Sequence, residues 1–203
     1  MKKLLEVTKP FVGPFRQKPE NVARPILKAA YVDEKYVYTT DSRIAIRLAH
    51  HQDIEKPYLH HYKEEYTGHL HVTNYPKVAN LFEYNGMTGT ELKVDVDRWR
   101  DIHETLHVAA KENERRAVKL EDDTFRVLPN PNEKTFNQIA ATYTLDKPTG
   151  FDIAYNCGLM ILILKAAKKM KISELSIYFN GPHKPMTLHH EDFTSLLMPI
   201  RIK

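Results

Sequence analysis

Between residues 91 and 203 one order of patterns runs twice: strand, helix, strand, strand, strand. The first copy opens with the alternating Leu92–Val96. Asp97 is the expected N-cap of a helix reaching about Asn113. Trp99, Ile102, Leu106 and Ala109 or Ala110 recur at helical spacing and predict one apolar face. Three strands follow in RRAVKLED, DTFRVL and FNQIAATYTL. The second copy has strand Phe151–Tyr155, helix Gly158–Lys171, and strands Leu175–Asn180, Met186–His190 and Thr194–Ile202. Short turns between the strands make antiparallel pairing the default. The expected class is α+β: tandem βαβββ units with antiparallel sheets and helices packed on one face.

The N-terminal 50 residues read as a third, reduced copy. Lys3–Thr8 is an expected short strand. Pro10, Pro14, Pro19 and Pro25 leave any helix that follows short or broken. Strands are then expected at Ile26–Val32, Tyr36–Thr39 and Ile44–Ala49, with turns at Asp33–Lys35 and Asp41–Ser42. Residues 51–90 read as a connector with a possible strand at Gly68–Val72. The expected organisation is a reduced N-terminal unit with connector, 1–73, and a complete C-terminal domain, 74–203.

Composition narrows the function classes. Hydrophobic residues make up 42% and charged residues 28% of the 203, which suits a folded water-soluble chain. The longest apolar run, Leu159–Leu164, is far short of the ~18 residues a membrane span needs. The N-terminal MKKLLEVTKPF lacks the sustained apolar stretch of a signal peptide. The single cysteine, Cys157, excludes an internal disulfide framework, suits the cytoplasm and reads as a small buried residue. Seven glycines form no phosphate-binding loop, so no cofactor is expected. The net charge of +4 permits a polyanionic partner without requiring one.

Two features carry chemistry on their own. Lys165, Lys168, Lys169 and Lys171 cluster on the second helix with no acid among them, and the first three share a face. They are candidate contacts to the phosphates of a polyanion, which give affinity without sequence information. Their alternative role is a solvated helix end whose cations suit the C-terminal dipole. The second feature is His103-Glu104-Thr-Leu-His107, the H-E-x-x-H pattern on a helix. There His103 and His107 can share a zinc ion, with Glu104 as general base. No third histidine stands at the usual downstream spacing, and Asp101 puts a charge where such helices keep a neutral residue. Glu121 and Glu133 are the only loose candidates for a third ligand. His69 and His71 could share a strand face. The pairs His50–His51, His60–His61 and His189–His190 read as surface residues.

The last residues bring a family into view. Leu196, Leu197, Met198, Pro199, Ile200, Arg201 and Ile202 resemble the closing strand of DNA sliding clamps of the bacterial DNA polymerase III beta-subunit type. RPIL at 24–27 and YTTDSRIAI at 38–46 resemble the segment in which a clamp strand ends in Thr-Asp-Gly and continues into Arg-Leu-Ala. Here Ser42 replaces that glycine, and one residue fewer precedes Arg43. NYPKVANLF is similar to the linker that leads into the last clamp domain, and GFDIAYNCGLMILILKAAK to the strand and helix that open that domain's second half.

The resemblance implies a shortened, non-enzymatic processivity factor of the kind a phage or mobile element encodes. It implies a homo-oligomeric ring around duplex DNA, of three or four copies for so short a chain. It also implies a pocket for polymerase and clamp-loader peptides formed by Thr40, Ser42, Arg43, Ile44, Leu196, Leu197, Met198, Pro199, Ile200 and Arg201. A monomeric peptide-binding adaptor and a zinc peptidase centred on His103, Glu104 and His107 are the alternatives.

Overall fold

The computed structural model describes residues 1–12, 25–62, 71–84, 87–110, 116–128, 140–142, 144–145, 147–150 and 152–201. The chain divides into two compact units. The first is Met1–Tyr84 with Glu191–Leu196, and the second is Asn85–His190 with Leu197–Lys203. The division falls later than the expected 73/74 boundary because Tyr75, Val78 and Phe82 are buried against Tyr38, Ala45 and Leu196 of the first unit.

In the first unit β1 (Ala29–Val32), β2 (Tyr36–Thr40), β3 (Ile44–Ala49) and β4 (Tyr58–His61) join β12 (Phe193–Leu197) in the order β4-β1-β2-β3-β12. β1 pairs antiparallel with both β2 and β4, with Tyr31 opposite Tyr38 and Leu59. Helix α1 (Lys2–Thr8) covers one face: Met1, Leu4 and Leu5 pack on Ala30, Val32 and Val37. This segment is a helix and not the expected strand. Leu4, Thr8 and Phe11 fall at helical spacing, Thr8 and Phe11 are buried, and the Thr8 hydroxyl donates back to the Leu4 carbonyl at 3.0 Å. Pro10 then stands inside a single 3-10 turn, Lys9–Phe11.

Helix α2 (Val78–Tyr84) covers the other face through Val78 and Phe82, and the Arg47 guanidinium lies 4.6 Å from the Tyr36 ring and 5.0 Å from the Phe82 ring. Pro25–Lys28 forms a 3-10 turn, so β1 starts later than expected. β4 and α2 were not expected from sequence. Of the possible strand Gly68–Val72, residues 68–70 lie outside the described residues, and Val72 begins a 3-10 turn.

The second unit carries the first βαβββ copy and all but the last strand of the second. The first is β5 (Thr90–Asp95), α3 (Val96–Ala109), β6 (Ala117–Glu121), β7 (Thr124–Val127) and β8 (Ala140–Thr142). The second begins with β9 (Ile153–Asn156), α4 (Cys157–Lys169), β10 (Glu174–Phe179) and β11 (Met186–His190), and it is completed by β12. β10 pairs antiparallel with β5 and β11, and β6 with β7 and β9. Alternation along β5 turns Leu92 and Val94 inward. Gly89 sits where a Cβ would come within 2.0 Å of the Phe179 carbonyl oxygen.

Helices α3 and α4 lie side by side. Helix α3 is capped by Asp95 and not by Asp97: the Asp95 carboxylate accepts from the Arg98 amide at 2.7 Å. Its buried face is Val96, Trp99, His103, Leu106 and Ala110, so His103 takes a place the sequence had reserved for Ile102. Helix α4 is capped by Asn156, whose side chain accepts from the Leu159 amide at 3.0 Å. It ends at Lys169. Lys171 then stands left-handed at φ 66°, with its amide donating to the Lys168 carbonyl and the Ile172 amide to the Ala167 carbonyl. This is a Schellman stop with lysine where glycine is usual. The last strand is also shorter than expected, ending at Leu197.

Candidate partner-binding and nucleic-acid surfaces

The β2–β3 turn is built by its own side chains. The Asp41 carboxylate accepts from the amides of Arg43 at 2.8 Å and Ile44 at 3.0 Å, an Asx turn. The Thr40 hydroxyl donates to the Ile44 carbonyl at 2.7 Å and accepts from the Ser42 amide at 3.0 Å. Ser42 is left-handed at φ 76°, the conformation in which glycine carries no Cβ penalty. Thr40 and Ile44 are buried, while Ser42 and Arg43 point to water. Arg43 pairs with Asp41 at 3.2 Å.

β12 runs beside this turn. Ser195 donates to the Ala45 carbonyl at 2.8 Å, and the Ala49 amide to the Asp192 carbonyl at 2.9 Å. Leu196 and Leu197 are buried. Past the strand, Met198 is 43% exposed, Pro199 and Ile200 are half-buried and Arg201 is exposed. The Ile200 amide donates to the Ala154 carbonyl of β9 at 2.7 Å. Ile202 lies outside the described residues.

The lysines divide. Lys165, Lys168 and Lys169 are exposed on α4 as expected. Lys171 is exposed but lies beyond the helix, at its left-handed stop. Lys165 pairs with Glu104 at 2.8 Å and Lys168 with Asp97 at 2.5 Å, both acids of α3. The bond from Lys168 is the main cause that holds the Asp97 carboxyl below its ordinary range. Arg100 reaches Asp97, Asp101 and Glu104. Among the described residues, Lys169 and Lys171 make no ion pair. In the sequence Asp97 reads as a cap and Glu104 as part of the H-E-x-x-H pattern; their pairing with the lysines depends on how two helices pack.

The H-E-x-x-H pattern does not form a metal site. His103 is fully buried; its Nδ1 donates to the Trp99 carbonyl at 2.7 Å and its Nε2 accepts from the Tyr155 hydroxyl at 2.8 Å. Burial pulls its pKa down to about 4, so it is neutral. A guanidinium can only donate, so His107 Nε2 accepts from Arg116 at 2.6 Å. Its Nδ1 lies 3.6 Å from Cys157 Sγ. Burial, then Arg116 and Lys165, lower the His107 pKa. Glu104 is engaged by Lys165. Both His103 nitrogens are committed inside the core, and no group of three metal-ligating side chains occurs among the described residues. Cys157 is buried, and its thiol is pushed up to about 11 by burial, so it is a packing residue and not a nucleophile. His50 is buried too, its Nε2 2.9 Å from the Asp33 carbonyl, which departs from the expected surface placement.

One cavity of about 590 Å³ opens between α3 and α4, lined in part by Glu104, His107, Val108, Arg116, Leu162 and Lys165. No helix among the described residues is long and apolar enough to cross a membrane.

No protein-family model matches the sequence, and no curated protein matches it. Solved structures do. The beta subunit of DNA polymerase from Streptococcus pyogenes aligns with TM-score 0.72 at 18% identity, covering 99% of this chain and 64% of that one. The DNA polymerase sliding clamp of Bacillus subtilis aligns with TM-score 0.72 at 16% identity, over 100% and 62% of the two chains. The ligand-bound sliding clamp of Pseudomonas aeruginosa gives 0.74 at 12% identity, over 99% and 63%. The chain thus has the bacterial sliding-clamp fold and spans a little under two thirds of the length of these clamps.

Proposed function

With the sliding-clamp fold as premise, we propose that this chain is a non-enzymatic DNA polymerase processivity factor. Copies of it close into a homo-oligomeric ring around duplex DNA in the cytoplasm. Polymerase and clamp-loader peptides engage the Thr40–Ile44 turn and the strand end Leu196–Arg201. The lysines of α4 touch the duplex loosely and without reading its sequence.

The observation that carries this reading is the fold match across nearly the whole chain at TM-score 0.72 to 0.74. The local structure of both peptide-binding segments supports the peptide part. A self-bonded turn presents Ser42 and Arg43, and an exposed Met198 follows two buried leucines. Apolar anchors beside a few fixed polar groups are what a short linear peptide needs.

Native mass spectrometry at micromolar concentration tests the ring: assemblies of three or four chains are expected, and monomer alone overturns closure. Binding of a clamp-motif polymerase-tail peptide tests the second part. Ile44→Ala with Met198→Ala should weaken it at least tenfold, and equal binding by wild type and double variant overturns that assignment. A monomer that still binds the peptide would be the peptide-binding adaptor instead.

A further inference from the structure

We infer that Asp97 and Glu104 of α3 act as built-in competitors for polyanion, holding Lys168 and Lys165 of α4 in exchangeable ion pairs. The polyanion meant is nucleic acid, and in that respect the inference rests on the proposed function.

Three acids, Asp97, Asp101 and Glu104, face three cations, Arg100, Lys165 and Lys168, and every one of the six is engaged. These six therefore balance one another where the sequence shows a run of lysines. Lys169 and Lys171 stand outside any ion pair among the described residues, as does Arg116, which donates to His107 instead, and these three are left uncompensated.

The pairs are exposed: side-chain accessibility is 55% for Lys165 against 43% for Glu104, and 52% for Lys168 against 57% for Asp97. Exposed pairs are weak and screened by salt. A phosphate can displace either carboxylate, but the displaced acid then stands close to the phosphate and repels it. A paired lysine thus adds far less to polyanion affinity than a lone one. The expected result is a surface that holds its ligand weakly.

Asp97→Asn with Glu104→Gln removes both competitors and leaves the Asp95 cap in place. Glu121→Gln with Glu174→Gln removes the same charge at pairs on β6 and β10, Lys119–Glu121 and Lys93–Glu174. Elution from immobilised heparin is the first measurement. The α3 double variant should elute at clearly higher salt than both wild type and control. Equal elution of the two double variants overturns the inference, since net charge alone would then explain any shift.

Anisotropy with a duplex of about 20 base pairs is the second measurement. The α3 variant should bind about tenfold tighter than wild type at about 50 mM salt, with the gain shrinking by about 200 mM. A heparin shift with no duplex binding by any form would leave the competition standing and overturn the DNA reading. Duplex binding that is equal in all three forms would do the reverse.

Discussion

The Tyr155 hydroxyl donates to Nε2 of His103 at 2.8 Å, and the two rings stack 5.8 Å apart at an interplanar angle of 29°. Trp99 and Phe125 close the other sides of the imidazole at 5.3 and 5.4 Å. The bond turns the first histidine of a zinc-protease pattern into a neutral core residue with no lone pair to spare.

This burial predicts a pH signature. The folded pKa of about 4 lies below the unfolded value of ~6.5. Below pH ~6.5 the unfolded chain takes up a proton that the folded chain refuses. Stability therefore falls as pH drops from ~6.5 to ~4 and levels off beneath, by about 3 kcal/mol for this group. Urea unfolding of wild type and His103→Gln across that range checks it: the variant should be less stable at pH 7, and the gap should narrow toward pH 4. A constant gap would contradict the assigned protonation.

Helix α3 offers a contrast between two neighbouring acids. Asp95→Ala removes the cap that receives the Arg98 amide and should cost about 1 kcal/mol. Asp97→Asn touches only exposed ion pairs and should leave stability nearly unchanged. Chemical denaturation of the two variants distinguishes them.

Lys171→Gly should raise stability by about 1 kcal/mol by relieving a left-handed backbone at the stop of α4. It should also weaken duplex binding, because it removes one of the uncompensated cations. A variant both more stable and poorer at binding DNA would separate the structural from the proposed functional role of this residue.

Gly89→Ala should destabilise by about 2 kcal/mol or more. The new methyl would meet the Phe179 carbonyl at 2.0 Å, and both are backbone positions that cannot step aside cheaply. Thermal unfolding measures it.

Most strands of the second unit were legible because each alternates over a short stretch between clear turns, as Leu92 and Val94 do in β5. Helix α4 was legible from Gly158 onward because the stretch to Lys171, without a turn signal, is too long to be one strand. The N-terminal helix was not. Its seven residues give too little periodicity to outweigh the prolines that follow, and its burial comes from packing on Ala30, Val32 and Val37. The cap of α3 was misplaced because Asp95 and Asp97 are both good caps, and only the register of Trp99 and Leu106 in the core chooses between them. His103 was missing from the expected apolar face because a histidine counts as polar, while a partnered neutral imidazole packs like an aromatic ring. The Thr40–Ile44 and Leu196–Arg201 segments were named from their resemblance to the sliding-clamp motifs. The Asx turn and the Ser42 conformation add how the first of them is held.

The Ile200 amide bonded to Ala154 has a thermodynamic consequence. With Leu197 fixed in β12 and Ile200 tied to β9, Met198 and Pro199 form a two-residue bridge with little slack. The ordering entropy of that bridge is therefore spent when the chain folds, not when a ligand arrives. A peptide that engages Met198 meets a side chain on an already immobile main chain, so its association should be fast and should need no rearrangement of the tail.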